Sequence, residues 1–172
     1  MAPENEEQRL NRELIELLNE LRVNLPAVQV LFAFLLTLPF ARGFIDMSRL
    51  DRHFYLAALL TTLLASVLLT TPGAYHRFLF RRHDKEGLLE LSNRLAIAGL
   101  TVLAVAMLLS LFVITDFLFG GVTAIVVVAC AASLFGGFWY VLPLRRRAVL
   151  MRENGAAEPV AEAPSVPEPP AA

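Results

Sequence analysis

The side chains of this chain best suited to bind a ligand are four basic residues that follow its second apolar segment: Arg77, Arg81, Arg82 and Lys85. At a membrane surface such a cluster attracts anionic lipid headgroups, with about 1 kcal/mol for each Lys or Arg near the surface. The same residues also orient the neighbouring membrane segments, because basic loops are retained in the cytoplasm. The sequence therefore leaves two interpretations open, a lipid-binding cluster and an ordinary topological signal.

Metal-binding and catalytic sites are not predicted. The three histidines, His53, His76 and His83, lie far from the only cysteine, Cys130, and do not give the closely spaced ligand pairs of a zinc site. The chain has no glycine-rich phosphate loop and no Ser/His/Asp set. We expect no enzymatic activity, no metal and no cofactor. Nucleic-acid binding is not expected either, since the basic residues are few and an acidic segment lies beside them.

Two other polar residues adjoin the apolar segments. Gln29 lies near one end of the first segment, where a hydrogen bond between helices explains it. Asp116 lies between the third and fourth segments, where a carboxylate favours the N-cap of the following helix. A proton- or ion-binding role for Asp116 is the alternative. Within the predicted crossings there is no ionisable residue, although such residues usually mark ion-coupled carriers.

Four apolar segments, at residues 25–41, 54–71, 95–114 and 117–142, are close to the ~20 residues that a helix needs to cross a bilayer. The chain is 56% hydrophobic with a mean hydropathy of +0.59, which is more apolar than an ordinary soluble domain. The sequence predicts an all-α fold, a four-helix transmembrane bundle over residues 25–147 that is embedded in the lipid bilayer.

Both ends of the chain are polar. Residues 1–24 predict a cytoplasmic amphipathic helix with one apolar stripe, which consists of Leu10, Leu14, Leu17, Leu18, Leu21 and Leu25. Its polar face is acidic, so we expect it to pack on protein rather than on anionic lipid. It either covers the end of its own bundle or binds a partner as a coiled coil. Residues 148–172 are rich in Ala, Pro and Glu and predict a disordered cytoplasmic tail.

Prolines and caps predict where the crossings bend and end. Pro26 is expected to bend the chain into the first crossing, and Pro39 to end that crossing. Ser48 and Asp51 match a capping box before the second crossing. Pro72–Gly73 is expected to break the second helix. The third helix is expected to extend beyond the bilayer to about 30 residues, or ~45 Å.

Small residues four positions apart indicate how the helices pack, because lipid offers no hydrophobic drive for helix association. The stripe of the first crossing is Ala33, Thr37 and Ala41, and that of the second is Ala58, Thr62, Ser66 and Thr70. The third and fourth crossings carry similar stripes. We expect these stripes to form the helix contacts of the bundle.

Basic residues are distributed unevenly between the connections. With both termini on one side, that side receives twelve of the fifteen lysines and arginines, and the first loop receives the other three, Arg42, Arg49 and Arg52. Short loops rich in Lys and Arg stay in the cytoplasm. The sequence therefore predicts a multi-pass protein of the cell inner membrane with both termini cytoplasmic.

Three stretches of the sequence are distinctive: Glu20–Phe34 (ELRVNLPAVQVLFAF), Pro72–Phe78 (PGAYHRF) and Asn93–Arg94. They resemble a family of small actinobacterial integral membrane proteins that is classed as a domain of unknown function. The resemblance covers roughly Glu13 to Arg147 and implies four transmembrane helices. Members of that family sometimes carry a sodium:proton antiporter label.

The residues that carry the resemblance are mostly polar and fall on the predicted cytoplasmic side. They are Glu20, Arg22, Gln29, His76, Arg77, Asn93 and Arg94. We predict that they form one polar layer at the inner membrane face, in which Glu20 pairs with Arg77 or Arg94. The layer would serve a non-enzymatic interaction or regulatory protein that binds a membrane-protein partner or a second copy of itself. The alternative function is a small oligomeric ion or solute transporter of the sodium:proton antiporter kind.

Overall fold

A computed structural model of the protein describes residues 6–79 and 85–156, except for the side chains at 6, 7, 11, 76–79, 85, 86 and 150–156. In these residues we name five α-helices: α1 (Glu6–Thr37), α2 (Arg49–Leu79), α3 (Lys85–Phe119), α4 (Gly121–Gly136) and α5 (Leu142–Ala156). The turns Leu38–Phe40 and Arg42–Asp46 are 3₁₀-helical, and Gly137–Val141 forms a π-helical turn.

Within the described ranges, four helical segments are long and apolar enough to cross a membrane: Gln8–Phe40, Arg49–Tyr75, Gly87–Phe119 and Gly121–Val149. The last of them consists of α4, the π-helical turn and most of α5. The predicted all-α fold with four helices of transmembrane length is therefore confirmed. All four helices are longer than the apolar segments that predicted them.

The chain divides into two compact units, Met1–Ala131 and Ala132–Ala172. In the first unit, α2 and α3 pack against each other, and α1 packs against both. In the second unit, the Phe135 and Trp139 rings meet edge to face with their centroids 5.1 Å apart. Its helix α5 extends to Ala156 and so includes residues 148–156 of the predicted tail. The rest of the predicted tail, 157–172, lies outside the described residues.

Helix contacts in the first unit follow a spacing of three and four residues, the pattern of left-handed coiled coils. On α2 the buried positions are Asp51, Tyr55, Ala58, Thr62, Ala65, Leu69 and Pro72. On α1 they are Leu14, Leu21, Val28 and Leu35, each seven residues after the last. The predicted four-residue stripes are therefore wrong in part: Ala58 and Thr62 are buried, but Thr70 and the stripe on α1 are exposed.

Two apolar clusters form the core of this unit. The first core cluster contains Leu21, Val28, Ala65, Leu69 and Leu103. The leucine stripe of the amphipathic segment packs here, since Leu17 and Leu25 contact this cluster. The segment therefore covers the end of its own bundle, one of the two outcomes expected from the sequence.

The second core cluster contains Leu35, Met47, Tyr55, Ala58 and Val113. It lies toward the start of α2 and the end of α3, which meet because the two helices run in opposite directions. The first and second core clusters thus occupy successive levels of one three-helix assembly.

The prolines behave differently from one another. Helix α2 continues through Pro72 to Leu79, so the predicted break at Pro72–Gly73 is wrong. A proline inside a helix loses one hydrogen bond, but Pro72 is fully buried at a packing position, and its contacts offset that loss. Helix α1 likewise continues through Pro26, across the predicted boundary at residue 24. Pro39 follows the end of α1 in a 3₁₀ turn, as predicted.

Candidate functional site

A groove of about 560 Å³ lies where the first half of α1 passes the start of α3. Its lining combines leucines with charged and amide side chains: Arg9, Leu10, Glu13, Glu16, Leu17, Glu20, Leu89, Glu90 and Asn93. The groove forms because the leucine stripe of α1 packs inward while its glutamates stay at the rim. We call this surface the acidic groove.

The charge of the acidic groove is mainly negative. Two of its four carboxylates form ion pairs. Oε1 of Glu13 lies 3.4 Å from Nε of Arg9, and Glu90 pairs with Arg94 one turn further along α3. Glu16 and Glu20 are exposed and form no ion pair with any described side chain. The groove thus presents two carboxylates that no described side chain neutralises, above an apolar floor of leucines.

The structure brings together part of the predicted polar layer. Glu20 and Asn93 line the acidic groove from opposite helices. Arg94 pairs with Glu90 on its own helix, so the predicted pair with Glu20 is not formed among the described residues. Arg22 is exposed and lies outside the groove lining. Gln29 is also exposed, and none of its hydrogen bonds reaches another described helix.

The other predicted residues belong to the segment that follows the second crossing. His76 and Arg77 lie in the last turns of α2, but their side chains are outside the described part of the structure. The same holds for the side chains of the lipid-binding candidates Arg81, Arg82 and Lys85. The pairing of Glu20 with Arg77 and the headgroup cluster therefore stay predictions.

At the opposite end of the first unit, the predicted capping box is confirmed. The backbone N–H of Asp51 donates to the Ser48 hydroxyl at 3.1 Å. That hydroxyl donates in turn to Oδ2 of Asp51 at 2.7 Å. This arrangement satisfies a backbone donor in the first turn of α2 and holds the Asp51 side chain in one position.

Asp116 does not cap α4, so that prediction is wrong. Helix α3 continues past it to Phe119, because Gly120 is the first residue suited to end the helix. Gly120 has φ +88°, which places it in the left-handed region that favours glycine. Its N–H donates to the carbonyl of Asp116 at 2.9 Å. Asp116 therefore lies in the last turn of α3.

The two aspartates meet at this end of the bundle. The carboxyl of Asp116 lies within hydrogen-bond reach of the carboxyl of Asp51. Asp51 is only 4% exposed, and its Oδ1 is buried with no hydrogen-bond donor in the described part of the chain. We call these two residues the acid pair. Sequence reasoning missed it, although both residues had been placed at the same side of the membrane.

A buried tyrosine links this end of α2 to α1. The Tyr55 hydroxyl donates to the carbonyl of Leu35 at 2.9 Å. Its ring meets Phe44 edge to face, with the centroids 5.2 Å apart. Helix α2, which carries Asp51, is thus held against α1 by a hydrogen bond as well as by apolar contacts.

These features define a class, helical membrane proteins whose polar residues gather at the ends of a packed three-helix unit. The chain belongs to the DUF6328 family, a family of unknown function whose sequence model matches residues 3–143. The match includes residues 3–12 of the amphipathic segment, which the resemblance seen in the sequence had left outside. No curated protein and no solved structure matches the chain.

Proposed function

We propose that the protein is a non-enzymatic interaction protein of the cell inner membrane, whose acidic groove binds a basic segment of another membrane protein. The observation that carries the proposal is a pair of carboxylates, Glu16 and Glu20, which no described cation neutralises and which lie above the leucine floor of the groove. A helix with basic residues on one side and apolar residues on the other complements both features.

The size of the groove supports a short segment rather than a small metabolite. Its volume of about 560 Å³ takes several side chains. Its rim is formed by exposed charged residues of two helices, and the described side chains offer no group of three metal-binding residues. A surface of this kind suits recognition between proteins, where opposite charges steer the encounter and fix the register.

The proposed location is the cytoplasmic face. Twelve of the fifteen basic residues fall on the side of the termini, and the positive-inside rule assigns that side to the cytoplasm. Alkaline phosphatase fused after Leu144 should then be inactive, and a fusion in the first loop, after Gly43, should be active. The opposite pattern would place the groove outside the cell.

The alternative, a small oligomeric ion or solute transporter, needs a polar path through the membrane. Inside the first unit, the two core clusters are built mainly from apolar side chains. The cavity beside Tyr55 and Ser110 holds about 10 Å³, less than a path for ions requires. Transport would therefore need a path between copies, whereas the groove is already present in one copy.

Site-specific photo-crosslinking in intact membranes tests the proposal. A photoreactive residue at Glu16 should yield one main product, a second membrane protein crosslinked through a basic segment. The charge reversal Glu20→Lys should reduce that product at least tenfold. The matched control is Asp46→Lys, since Asp46 is an exposed acidic residue at the opposite end of the unit.

Other crosslinking outcomes would contradict the proposal in distinguishable ways. Products within the chain, through Arg81 or Arg82, would show that its own basic loop fills the groove. Crosslinks to lipid alone would favour the headgroup interpretation. Products with a second copy of the chain would make the groove an oligomer interface.

A further inference from the structure

The acid pair leaves one buried oxygen without a hydrogen-bond donor. Oδ2 of Asp51 accepts the Ser48 hydroxyl, whereas Oδ1 is buried and has no donor among the described residues. A buried polar atom without a partner costs free energy, and a charged one costs more. The carboxyl within hydrogen-bond reach of Asp51 is that of Asp116, which has no hydrogen to offer when ionised.

A proton on one of the two carboxyls removes the repulsion between them and supplies the missing donor. Two ionised carboxylates side by side repel each other, as do the paired carboxylates of acid dyads. When one of them is protonated, its O–H donates to the other in a short, charge-assisted hydrogen bond. Repulsion is then replaced by attraction, and the unsatisfied oxygen gains its donor.

We propose that Asp51 and Asp116 form a proton-binding site in which one shared proton joins the start of α2 to the end of α3. Asp116 carries the proton and donates it to Oδ1 of Asp51. The site is distinct from the acidic groove, which lies between α1 and the start of α3, and it does not depend on the function proposed for that groove.

The positions of the two residues in their helices decide which one holds the proton. Asp51 lies in the first turn of α2, where the helix dipole stabilises a negative charge and Ser48 donates to the ionised carboxylate. Asp116 lies in the last turn of α3, where the dipole opposes a negative charge. The Ser48 hydroxyl thus offers a donor to a carboxylate at Asp51. Asp116 has no such capping hydroxyl among the described residues, and its Oδ1 lies beside Gly121, the first residue of α4.

No described basic side chain neutralises the pair. The other charged residues and the histidine on the elements around it are Arg42, Asp46, Arg49, Arg52 and His53, and all of them are exposed. The buried Tyr55, one turn along α2 from Asp51, donates its hydroxyl to the carbonyl of Leu35. The Arg52 guanidinium donates to the carbonyl of Ile45 at 2.8 Å, and a ring nitrogen of His53 bonds the carbonyl of Arg49. The last turn of α1 and the first turn of α4 carry no charged residue. Repulsion between the carboxylates is therefore relieved by a proton.

The site has a consequence for the response to pH. When the pH rises far enough, Asp116 loses its proton to water and two carboxylates face each other. The start of α2 and the end of α3 then repel, and the contact between them weakens. The shared proton stabilises the packed form at low pH, and this stabilisation is lost as the pH rises.

Infrared spectroscopy of the full-length protein in lipid vesicles tests the proposal. At a pH just above the range in which exposed carboxylic acids titrate, the spectrum should contain the carbonyl band of one protonated carboxylic acid. The band should disappear in Asp116→Asn and in Asp51→Asn. It should persist in the matched control Asp46→Asn, which alters an exposed aspartate nearby.

A second measurement needs no substitution. The chain has only four aspartates, Asp46, Asp51, Asp84 and Asp116, so ¹³C-carboxyl aspartate labels few groups. The label should shift the carboxylic acid band of the unaltered protein. An unshifted band would assign the proton to a glutamate and overturn the proposal, and so would a spectrum without the band at a pH just above the range in which exposed carboxylic acids titrate. Stabilisation by one cation in place of the proton would identify an ion site instead.

Discussion

At the acid-pair end of the bundle, Asp51 is 4% exposed and held by a capping hydroxyl, a neighbouring carboxyl and a packed helix end. At the acidic-groove end, Glu16 and Glu20 are exposed and bound to no described cation. Both ends are acidic, and α3 contributes residues to both. The comparison shows that one residue type serves two purposes: a buried carboxylate needs partners within the fold, whereas an exposed one is available to a partner outside it.

The two core clusters differ in the contacts that hold their helices together. The first core cluster, toward the acidic groove, consists of apolar side chains in contact. Gly99, which has no side chain, allows α2 and α3 to approach closely there. The second core cluster, beside the acid pair, adds the Tyr55 hydrogen bond to its apolar contacts. Thermal unfolding of the purified protein in mild detergent measures how much each kind of contact contributes to stability.

The largest effect is expected at Gly99. A Cβ there would lie 2.7 Å from Cδ2 of Leu69 and 3.3 Å from Cβ of Leu68, so Gly99→Ala forces α2 and α3 apart. We expect a loss of about 1–3 kcal/mol, the usual cost of overpacking. The matched control is Gly73→Ala in α2, where a Cβ meets nothing within 4 Å. If Gly99→Ala unfolds at the same temperature as the unaltered protein, the close approach of α2 and α3 at Gly99 does not require a glycine.

Removal of the cap at the acid-pair end should have the next largest effect. Ser48→Ala leaves the Asp51 N–H without its acceptor and Oδ2 without its donor. We expect a loss of about 0.5–2 kcal/mol, typical of a lost N-cap. Ser48→Thr keeps a hydroxyl and should restore most of the stability. Equal stability of the Ala and Thr variants would contradict the capping role.

Loss of the interhelical hydrogen bond should have a smaller effect. Tyr55→Phe keeps the ring against Phe44 but removes the hydroxyl that reaches Leu35. We expect a loss of about 0.5–1.5 kcal/mol, the net value of one buried hydrogen bond. Tyr75→Phe, a half-buried position further along α2, is the control and should change little. A larger loss of stability for Tyr75→Phe than for Tyr55→Phe would contradict the stabilising role assigned to the Tyr55 hydroxyl.

The smallest effect on stability is expected at the acidic groove. Arg94 and Glu90 form an exposed pair, with side chains 74% and 68% exposed, so water screens their attraction. We expect Arg94→Ala to change stability by no more than about 0.5 kcal/mol. The same variant frees the Glu90 carboxylate and should strengthen the crosslink at Glu16. A large loss of stability would mean that the rim of the groove is structural.

Much of the fold was predictable from the sequence because its signals are local. A membrane-length helix is indicated by a run of apolar residues, and the Ser48–Asp51 cap by two residues three positions apart. The site was predictable only in part. Glu20 and Asn93 do line one groove, but the predicted partner of Glu20, Arg94, is bound one turn away by Glu90.

The errors have two physical causes: local patterns specify neither the rotation of a helix about its axis nor, without the tertiary contacts, the residue at which it ends. Four-residue spacing predicted Thr70 in a contact, whereas the coiled-coil spacing of the seam buries Leu69 instead. Pro72 looked like a break, yet its buried ring is accommodated by its neighbours. Asp116 looked like a cap for α4, yet α3 continues until Gly120.

The sequence by itself determined the four apolar helices, the cap of α2, the leucine face of α1 and the polar character of both ends, because each depends on residues close together in the chain. Only the tertiary structure decided which small residues face a neighbour, which glutamates have no ion pair with a described side chain, and that Asp51 meets Asp116. Those residues are distant in sequence, and their contact depends on the register and rotation with which antiparallel helices pack.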